Sequence, residues 1–131
     1  MPSPIALVTH PACNRHDTGP GHPEGQDRLP AMLEAVRRDR ELAARVAEHQ
    51  ARPAEEEDLL RVHTPEHVMG VREAADEARR RGEVLRLDPD TAVSPDSWEA
   101  ALGAAGCAIA AAELAAALSN LQRMNGPPQS M

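Results

Sequence analysis

Residues 18–21 read Thr-Gly-Pro-Gly, a sequence that cannot form regular secondary structure. Glycine permits positive φ, and proline fixes φ and removes a backbone donor, so this segment is a shaped turn. The apolar run Ile5–Thr9 precedes it and is typical of a buried strand. An amphipathic pattern follows, beginning near Leu29. A buried strand, a shaped loop and a helix in this order predict an α/β protein, with the loop leaving the carboxyl end of the first strand, where ligand sites lie.

The amphipathic segment after the loop predicts a helix with Asp27 as its N-cap. The pattern continues or restarts beyond a charged stretch at residues 37–41, and its apolar positions are Leu29, Met32, Leu33, Val36, Leu42 and Val46. After a short link, the acidic run at residues 55–57 predicts another helix start, because the helix dipole favours negative charge there. We expect the buried face of that helix to contain Leu59, Leu60 and Val62.

A further helix has clear signals at both ends. Thr64 is a good N-cap, Pro65 suits the first helical position, and Gly82 is a typical stop. Its inward positions are Val68, Val71, Ala75 and Ala78. Residues 83–87 then predict a short extended segment.

The chain ends with an acidic loop, a long helix and a polar tail. Ser94 and Pro95 repeat the N-cap and first-position pair, and the apolar run 100–118 predicts a buried helix. We expect its inward face to contain Trp98, Leu102, Ala105, Ile109, Ala112 and Ala116. The run is dominated by alanine and contains Glu113, which favours a core helix over a membrane span. Residues 119–131 are polar and aperiodic, and we expect them to be disordered.

Charge and composition exclude several classes of protein. The chain has 131 residues and a net charge of −7, which argues against binding to a phosphate backbone. The arginine cluster at residues 79–81 lies where a helix C-terminus favours positive charge. Every basic residue is arginine, which together with abundant alanine and proline indicates a GC-rich bacterial genome. The only aromatic residue is Trp98, so the core must be built from aliphatic side chains.

The two cysteines, Cys13 and Cys107, are too few for a disulfide framework, and Cys107 is expected to be a small core residue. Residues 1–3 lack a basic region, and the apolar run that follows is too short for a signal peptide. We therefore expect a cytoplasmic protein with no membrane contact. The sequence does not indicate an oligomeric state.

The loop H-D-T-G-P-G-H-P-E-G-Q-D-R-L, followed later by D-P-D-T and S-W-E-A-A-L, resembles the amino-terminal part of the zinc-dependent deacetylases. That superfamily includes histone deacetylases, acetylpolyamine amidohydrolases and acetoin-utilisation proteins. The resemblance covers residues 4–118. It implies part of a three-layer α/β/α fold of the arginase and deacetylase type over residues 1–118, mostly helical in this piece, with 119–131 as a divergent tail. It also implies hydrolysis of acetyl-amide bonds in the intact family.

The resemblance assigns expected roles to four residues. His22 and Glu24 belong to a loop beside the family's active site. Arg28 resembles an arginine that lines a channel for released acetate, a product that a guanidinium fork binds well. Asp88 resembles an acidic residue at the rim that holds the substrate backbone. The alternatives are a solvated first-turn residue for Arg28 and a simple Asp-Pro turn for Asp88.

A zinc site within the first loop is a separate hypothesis. His10, Cys13, His16 and His22 are ligand types, but their spacing matches no paired zinc motif. The loop histidines could instead hydrogen-bond the turn, or the loop could form one wall of a neighbouring pocket, which is the interpretation that we prefer. We expect no metal bound to this chain, although the intact family uses zinc.

The family's catalytic residues lie downstream of the matched region. They are an Asp-x-His pair and a further Asp that hold zinc, paired histidines, and a Tyr or His that polarises the acyl oxygen. This chain has no Tyr and no His after His67. We expect an inactive, truncated segment, with R-P-P-G-H-H encoded downstream in another frame or after a stop. The alternative is a non-catalytic helical interaction module. The acyl substrate stays open among acetyl-lysine, acetylpolyamine and other small amides.

Overall fold

The computed structural model describes residues 4–126. The first strand, β1 (Ile5–Thr9), is followed by a 3-10 helix (Pro11–Arg15), α1 (Arg28–Arg38), α2 (Arg40–Arg45) and β2 (Val46–Gln50). β2 pairs with β1 in parallel, with Ile5 opposite Val46 and Thr9 opposite Gln50. Parallel strands need a long crossover, which the two helices and the shaped loop supply. This strand–helix–strand unit confirms the α/β prediction for this part of the chain.

The second half contains α3 (Glu56–Leu59), α4 (Pro65–Arg81), the hairpin strands β3 (Leu85–Asp88) and β4 (Thr91–Val93), and α5 (Ser97–Met124). β3 and β4 pair antiparallel, with an irregularity between Arg86 and Asp88. Within residues 4–126 the strands form these two separate two-stranded sheets. The complete three-layer arrangement is therefore not present in the described part of the chain.

Helix α4 begins and ends where the sequence predicts. The Thr64 side chain accepts a hydrogen bond from the His67 amide at 3.2 Å, and Pro65 takes the first turn. Gly82 has φ of 64°, the left-handed conformation that closes a helix without a Cβ penalty. Val68, Ala75 and Ala78 are buried, as expected.

Three predictions about local structure are wrong. Val46 begins β2 instead of continuing a helix, because pairing with β1 outweighs local propensity. Leu60 and Val62 are exposed rather than buried, with 42% and 79% of their surface accessible. Helix α5 begins at Ser97, and Ser94 lies in the turn before it.

The long helix α5 is mostly exposed, which corrects the prediction of a buried helix. Its buried residues are Ser97, Ala100, Gly103 and Gly106, all in its first half, and Trp98 is half-buried with the Arg72 guanidinium 5.7 Å from its ring centroid. The expected inward position Ile109 is exposed. The buried face is set by the close approach of β1, the 3-10 helix and residues 52–54, a tertiary effect that periodicity does not show.

The predicted disorder after residue 118 is wrong for residues 119–124, which continue α5 as far as Met124. Residues 127–131 lie outside the described part of the chain. By length and composition, α5 could also span a membrane, a test that core helices of water-soluble proteins pass as well. The first half of α5 packs against β1 and the 3-10 helix, which indicates that this half belongs to the folded domain.

Small residues let α5 approach the loop that follows β2. The Ala54 amide donates to the Leu102 carbonyl at 2.8 Å. A Cβ at position 106 would overlap the Arg52 carbonyl oxygen and lie 3.0 Å from the Ala54 nitrogen. A Cβ at position 103 would lie 2.8 Å from Nδ1 of His10. Glycine at 106 is therefore a condition for this backbone-to-backbone contact.

Candidate functional site

Two loops meet at the carboxyl side of β1. The first loop comprises residues 16–24. The name second loop denotes residues 88–97, which include the short strand β4 and the first residue of α5. His16 Nδ1 lies 2.7 Å from the Ser97 hydroxyl. The Asp17 amide donates to the Ser94 hydroxyl at 3.0 Å. These bonds join segments that are far apart in the sequence, so they hold the two loops in a fixed relation.

The serines at the start of α5 are the centre of this network. Ser94 and Ser97 are buried, with 1% and 7% of their surface accessible. Their hydroxyl oxygens are 2.9 Å apart, and the Ser94 amide donates to the Ser97 hydroxyl at 2.7 Å. A hydroxyl that is buried and already hydrogen-bonded in this way is not presented as a nucleophile. The network therefore positions the loops and does not itself perform chemistry.

His22 connects the tips of the two loops. Its Nδ1 accepts from the Glu24 amide at 3.1 Å, so in the neutral ring the proton is on Nε2. Nε2 then donates to the Asp90 carbonyl at 3.2 Å. Thr18, which is buried, donates its hydroxyl to the Glu24 carbonyl at 3.0 Å. These bonds satisfy the polar groups of a turn that also needs positive φ at Gly19 and Gly21.

An open cavity of about 460 Å³ lies between the loops. It is lined by residues from both: His16, Thr18, His22, Pro23, Glu24, Asp90, Thr91 and Ala92. Its exposed ionisable side chains are the carboxylates of Glu24 and Asp90. The cavity can therefore accept a polar or cationic group, and its walls are set by the hydrogen bonds between the loops.

The structure brings together two of the four residues that the sequence singles out. His22 and Glu24 line the cavity. Asp88 stands just outside it, where its carboxylate accepts hydrogen bonds from the Asp90 amide and the Thr91 hydroxyl, both at 2.9 Å. Arg28 is exposed at the first position of α1 and lines neither this cavity nor a larger one of about 860 Å³ between β1, α1 and α5. The channel role of Arg28 and the rim role of Asp88 stay predictions.

The bonds to Asp88 predict its titration. The Asp90 amide first, and then the Thr91 hydroxyl, lower the pKa of Asp88 by stabilising its charged form. In an unfolded chain, the pKa of an Asp side chain is about 3.9. The ionised carboxylate therefore stabilises the folded turn fully above that pH. This stabilisation is lost as the pH falls through the lower pKa of the folded state. We expect a carboxyl ¹³C titration midpoint for Asp88 below about 3.9.

Thr91→Val is the matched control, because it removes one donor and keeps the shape of the side chain. We expect it to raise the midpoint of Asp88 toward the ordinary value. A wild-type midpoint at or above about 3.9 would show that the two bonds are not formed in solution.

The segment from His10 to His22 does not fit a zinc ion. Nδ1 of His10 accepts from the Ala12 amide at 3.0 Å, and the corresponding atoms of His16 and His22 are also hydrogen-bonded. Across residues 4–126, His, Cys, Asp and Glu side chains form no group of three or more that could hold a metal. The histidines instead order the loop, one of the alternatives that the sequence left open.

Sequence reasoning missed the Ser94 and Ser97 network. The sequence presents Ser94 as an N-cap, and nothing near it shows that its hydroxyl accepts from Asp17. The partial signal was the S-P-D-S order, since a serine three residues after a capping serine can bond back to its amide.

The arginine cluster at residues 79–81 lies in the last turn of α4. Arg80 and Arg81 form ion pairs with Glu77, and Arg79 forms ion pairs with Asp96 and Glu99.

The resemblance implied part of a three-layer α/β/α fold, and the described residues show one parallel strand–helix–strand unit and a separate antiparallel hairpin. The model of the histone deacetylase domain matches residues 22–129. The chain is also similar to histone deacetylase 8 from Arabidopsis thaliana, with 40% identity over 90 residues. Those residues are 69% of this chain and 22% of the relative, so the chain spans about a fifth of the relative's length.

The chain belongs to the histone deacetylase family. The family's domain has an α/β fold of the arginase and deacetylase type, generally depends on zinc and acts on acetylated substrates. The family match runs past residue 118, beyond the region of resemblance that the sequence analysis described.

Proposed function

We propose that this chain supplies the amino-terminal part of a zinc-dependent amidohydrolase of the histone deacetylase type, and that its two loops form one wall of the substrate site. The observation that carries the proposal is the interlocking of the loops. His16 with Ser97, Asp17 with Ser94, and His22 with Asp90 create a preformed cavity wall at the carboxyl side of β1.

A zinc ion bound by the intact family's ligands would supply the activation of water that hydrolysis of an acetyl-amide bond requires. The residues of this chain would shape the site around that chemistry. The loop network fixes the wall, and Glu24 and Asp90 place negative charge beside the cavity, which suits a cationic amine such as that of a polyamine or a lysine product. We propose that Arg28 binds the acetate product and that Asp88 holds the substrate at the rim. The acyl substrate stays open among acetyl-lysine, acetylpolyamine and other acetyl amides.

We propose that the 131-residue chain has no deacetylase activity by itself. The loop histidines are engaged in the hydrogen bonds that order the turn, and within the described range no set of three ligands is assembled. A zinc-bound water needs an open site with fixed ligands and a base.

The expected result is no turnover of an acetyl-lysine peptide or an acetylpolyamine above the rate of the buffer, with or without added Zn²⁺. Zinc content after dialysis should be well below one equivalent. Turnover that requires zinc and is abolished by a chelator would contradict the proposed inactivity. The control is a catalytically competent relative assayed in parallel with the same substrates.

A second candidate function is a helical interaction module that keeps the family scaffold. It is favoured by the apolar surface that α1 and α5 leave open, including Leu29, Met32, Ile109, Leu118 and Leu121. Large exposed apolar surfaces mark interaction sites or incomplete cores. Cooperative thermal unfolding without dye binding would favour the module, whereas aggregation or a molten state that binds 8-anilinonaphthalene-1-sulfonate would favour a partial domain.

The cytoplasmic location and the bacterial origin of this protein stay predictions.

A further inference from the structure

Two cysteines face the same apolar cavity from different elements. Cys13 is in the 3-10 helix and Cys107 is in α5, and both are half-buried. They line a cavity of about 860 Å³ between β1, α1 and α5. This cavity adjoins the one between the two loops, because His16 lines both. Both thiols are thus accessible to a small solute and are held by elements that pack against each other.

The two thiols lie along the same face of α5. The Cys13 thiol donates to the Ala100 carbonyl, with Sγ 3.9 Å from that oxygen. Cys107 lies two helical turns beyond Ala100, on the same face of α5. Side chains on a helix lean toward its N-terminus, so the Cys107 thiol leans back toward the turn where Cys13 is anchored.

The electrostatics of the pair agree with this placement. Burial first, and then the neighbouring Cys13 thiol through charge and a hydrogen bond, raise the pKa of Cys107. The raised pKa makes Cys107 a poor first nucleophile at neutral pH, because the thiolate is the reactive form.

We propose that Cys13 and Cys107 are a redox-sensitive pair that forms a reversible intramolecular disulfide and locks the 3-10 helix onto α5. The oxidant is a peroxide. The Cys13 thiolate attacks one peroxide oxygen, the O–O bond breaks, and the product is a sulfenic acid with release of hydroxide. The Cys107 thiolate then attacks the Cys13 sulfur, the S–O bond breaks, and a second hydroxide leaves.

The two hydroxides take up the two thiol protons, so two thiols and one hydrogen peroxide give one disulfide and two water molecules. The disulfide would close a long loop of the chain and remove entropy from the unfolded state. It would also hold the segment that leads directly into the first loop, since the 3-10 helix ends at Arg15.

The test treats the full chain with a small excess of hydrogen peroxide and counts thiols under denaturing conditions. The expected result is loss of both thiols, a monomer with a mass lower by two hydrogen atoms, and a single peptide that links Cys13 to Cys107. Dithiothreitol should restore both thiols. The melting temperature of the oxidised chain should be higher by roughly 10–20 °C, and dithiothreitol should reverse the shift.

Cys13→Ser and Cys107→Ser are the matched controls. Neither variant can form the internal bond, so peroxide should not raise its melting temperature. Two outcomes would overturn the proposal: exclusively intermolecular disulfides in the wild-type chain, or oxidation of one cysteine to the sulfinic acid while the other keeps its free thiol. Because thiol counts and peptide masses are read in the denatured chain, they decide the question even if a variant unfolds.

Discussion

Gly106→Ala is expected to destabilise the chain by about 3 kcal/mol, because overpacking a tight contact forces backbone to move. The new methyl group would overlap the Arg52 carbonyl oxygen and crowd the Ala54 nitrogen at 3.0 Å. Both are backbone atoms of a segment tied to α5 by the bond from the Ala54 amide to the Leu102 carbonyl. A rotamer change cannot relieve the overlap, so α5 must separate from residues 52–54. The measurement is the free energy of unfolding in urea, followed by helical circular dichroism.

Gly70→Ala is the matched control. Gly70 is an exposed glycine inside α4, and a Cβ there meets nothing within 4 Å. The same substitution should therefore stabilise the chain by about 0.5–1 kcal/mol through helix propensity. The change in unfolding free energy for Gly103→Ala should lie between those of the other two variants, because a Cβ at position 103 would meet the His10 ring, which can shift. Equal unfolding free energies for the Gly106 and Gly70 variants would contradict the close approach of α5 to residues 52–54.

Features that depend on neighbouring residues in the chain could be predicted from the sequence. The ends of α4 follow from Thr64, Pro65 and Gly82, which act within one turn of the helix. The existence of β1 follows from its apolar run and the turn signals around it, but the expected burial is wrong, because Ile5 is exposed and the other four residues are only half-buried. The shaped turn follows from Gly19 and Gly21, whose positive φ values the structure shows.

Features that depend on a distant partner could not be predicted. β2 contains Glu48, His49 and Gln50 and has no alternation of its own, so its identity comes from pairing with β1. The buried face of α5 contains glycines at 103 and 106 because backbone and a histidine ring approach there. Hydrophobic periodicity instead pointed to Ile109, which is exposed because no described element covers that face.

The same distinction between local features and features that depend on a distant partner applies to the candidate site. His22 and Glu24 could be identified because they follow a glycine- and proline-rich turn in a motif that resembles the family's. The contacts of Ser94 and Ser97 with Asp17 and His16 join positions that are far apart in the chain, and only the fold brings them together. Arg28 matches the motif, but its side chain lines neither of the two cavities described above.

The second large effect is expected for the deacetylase activity of a chimera. In it, residues 4–126 of this chain replace the corresponding segment of histone deacetylase 8 from Arabidopsis thaliana. The chain and the relative are 40% identical over 90 residues, and we expect the transplanted residues to supply the loop wall. We expect the chimera to be soluble and to deacetylate an acetyl-lysine peptide with kcat/KM within about tenfold of the parent, a difference of about 1.4 kcal/mol in transition-state stabilisation.

The controls in the chimera are the two glycine variants. Gly106→Ala should lower the yield of folded, active chimera sharply, whereas Gly70→Ala should leave its activity unchanged. This pair separates failure of the scaffold from failure of the site, since both substitutions add the same methyl group to a helix.

The most direct measurement of the central claim is kcat/KM of the zinc-loaded chimera on an acetyl-lysine peptide. If this chain supplies a deacetylase-type scaffold and loop wall, the value stays within about tenfold of the parent and is lost on chelation of zinc. A chimera that is folded and contains zinc, but hydrolyses the peptide only at the background rate, would contradict the claim.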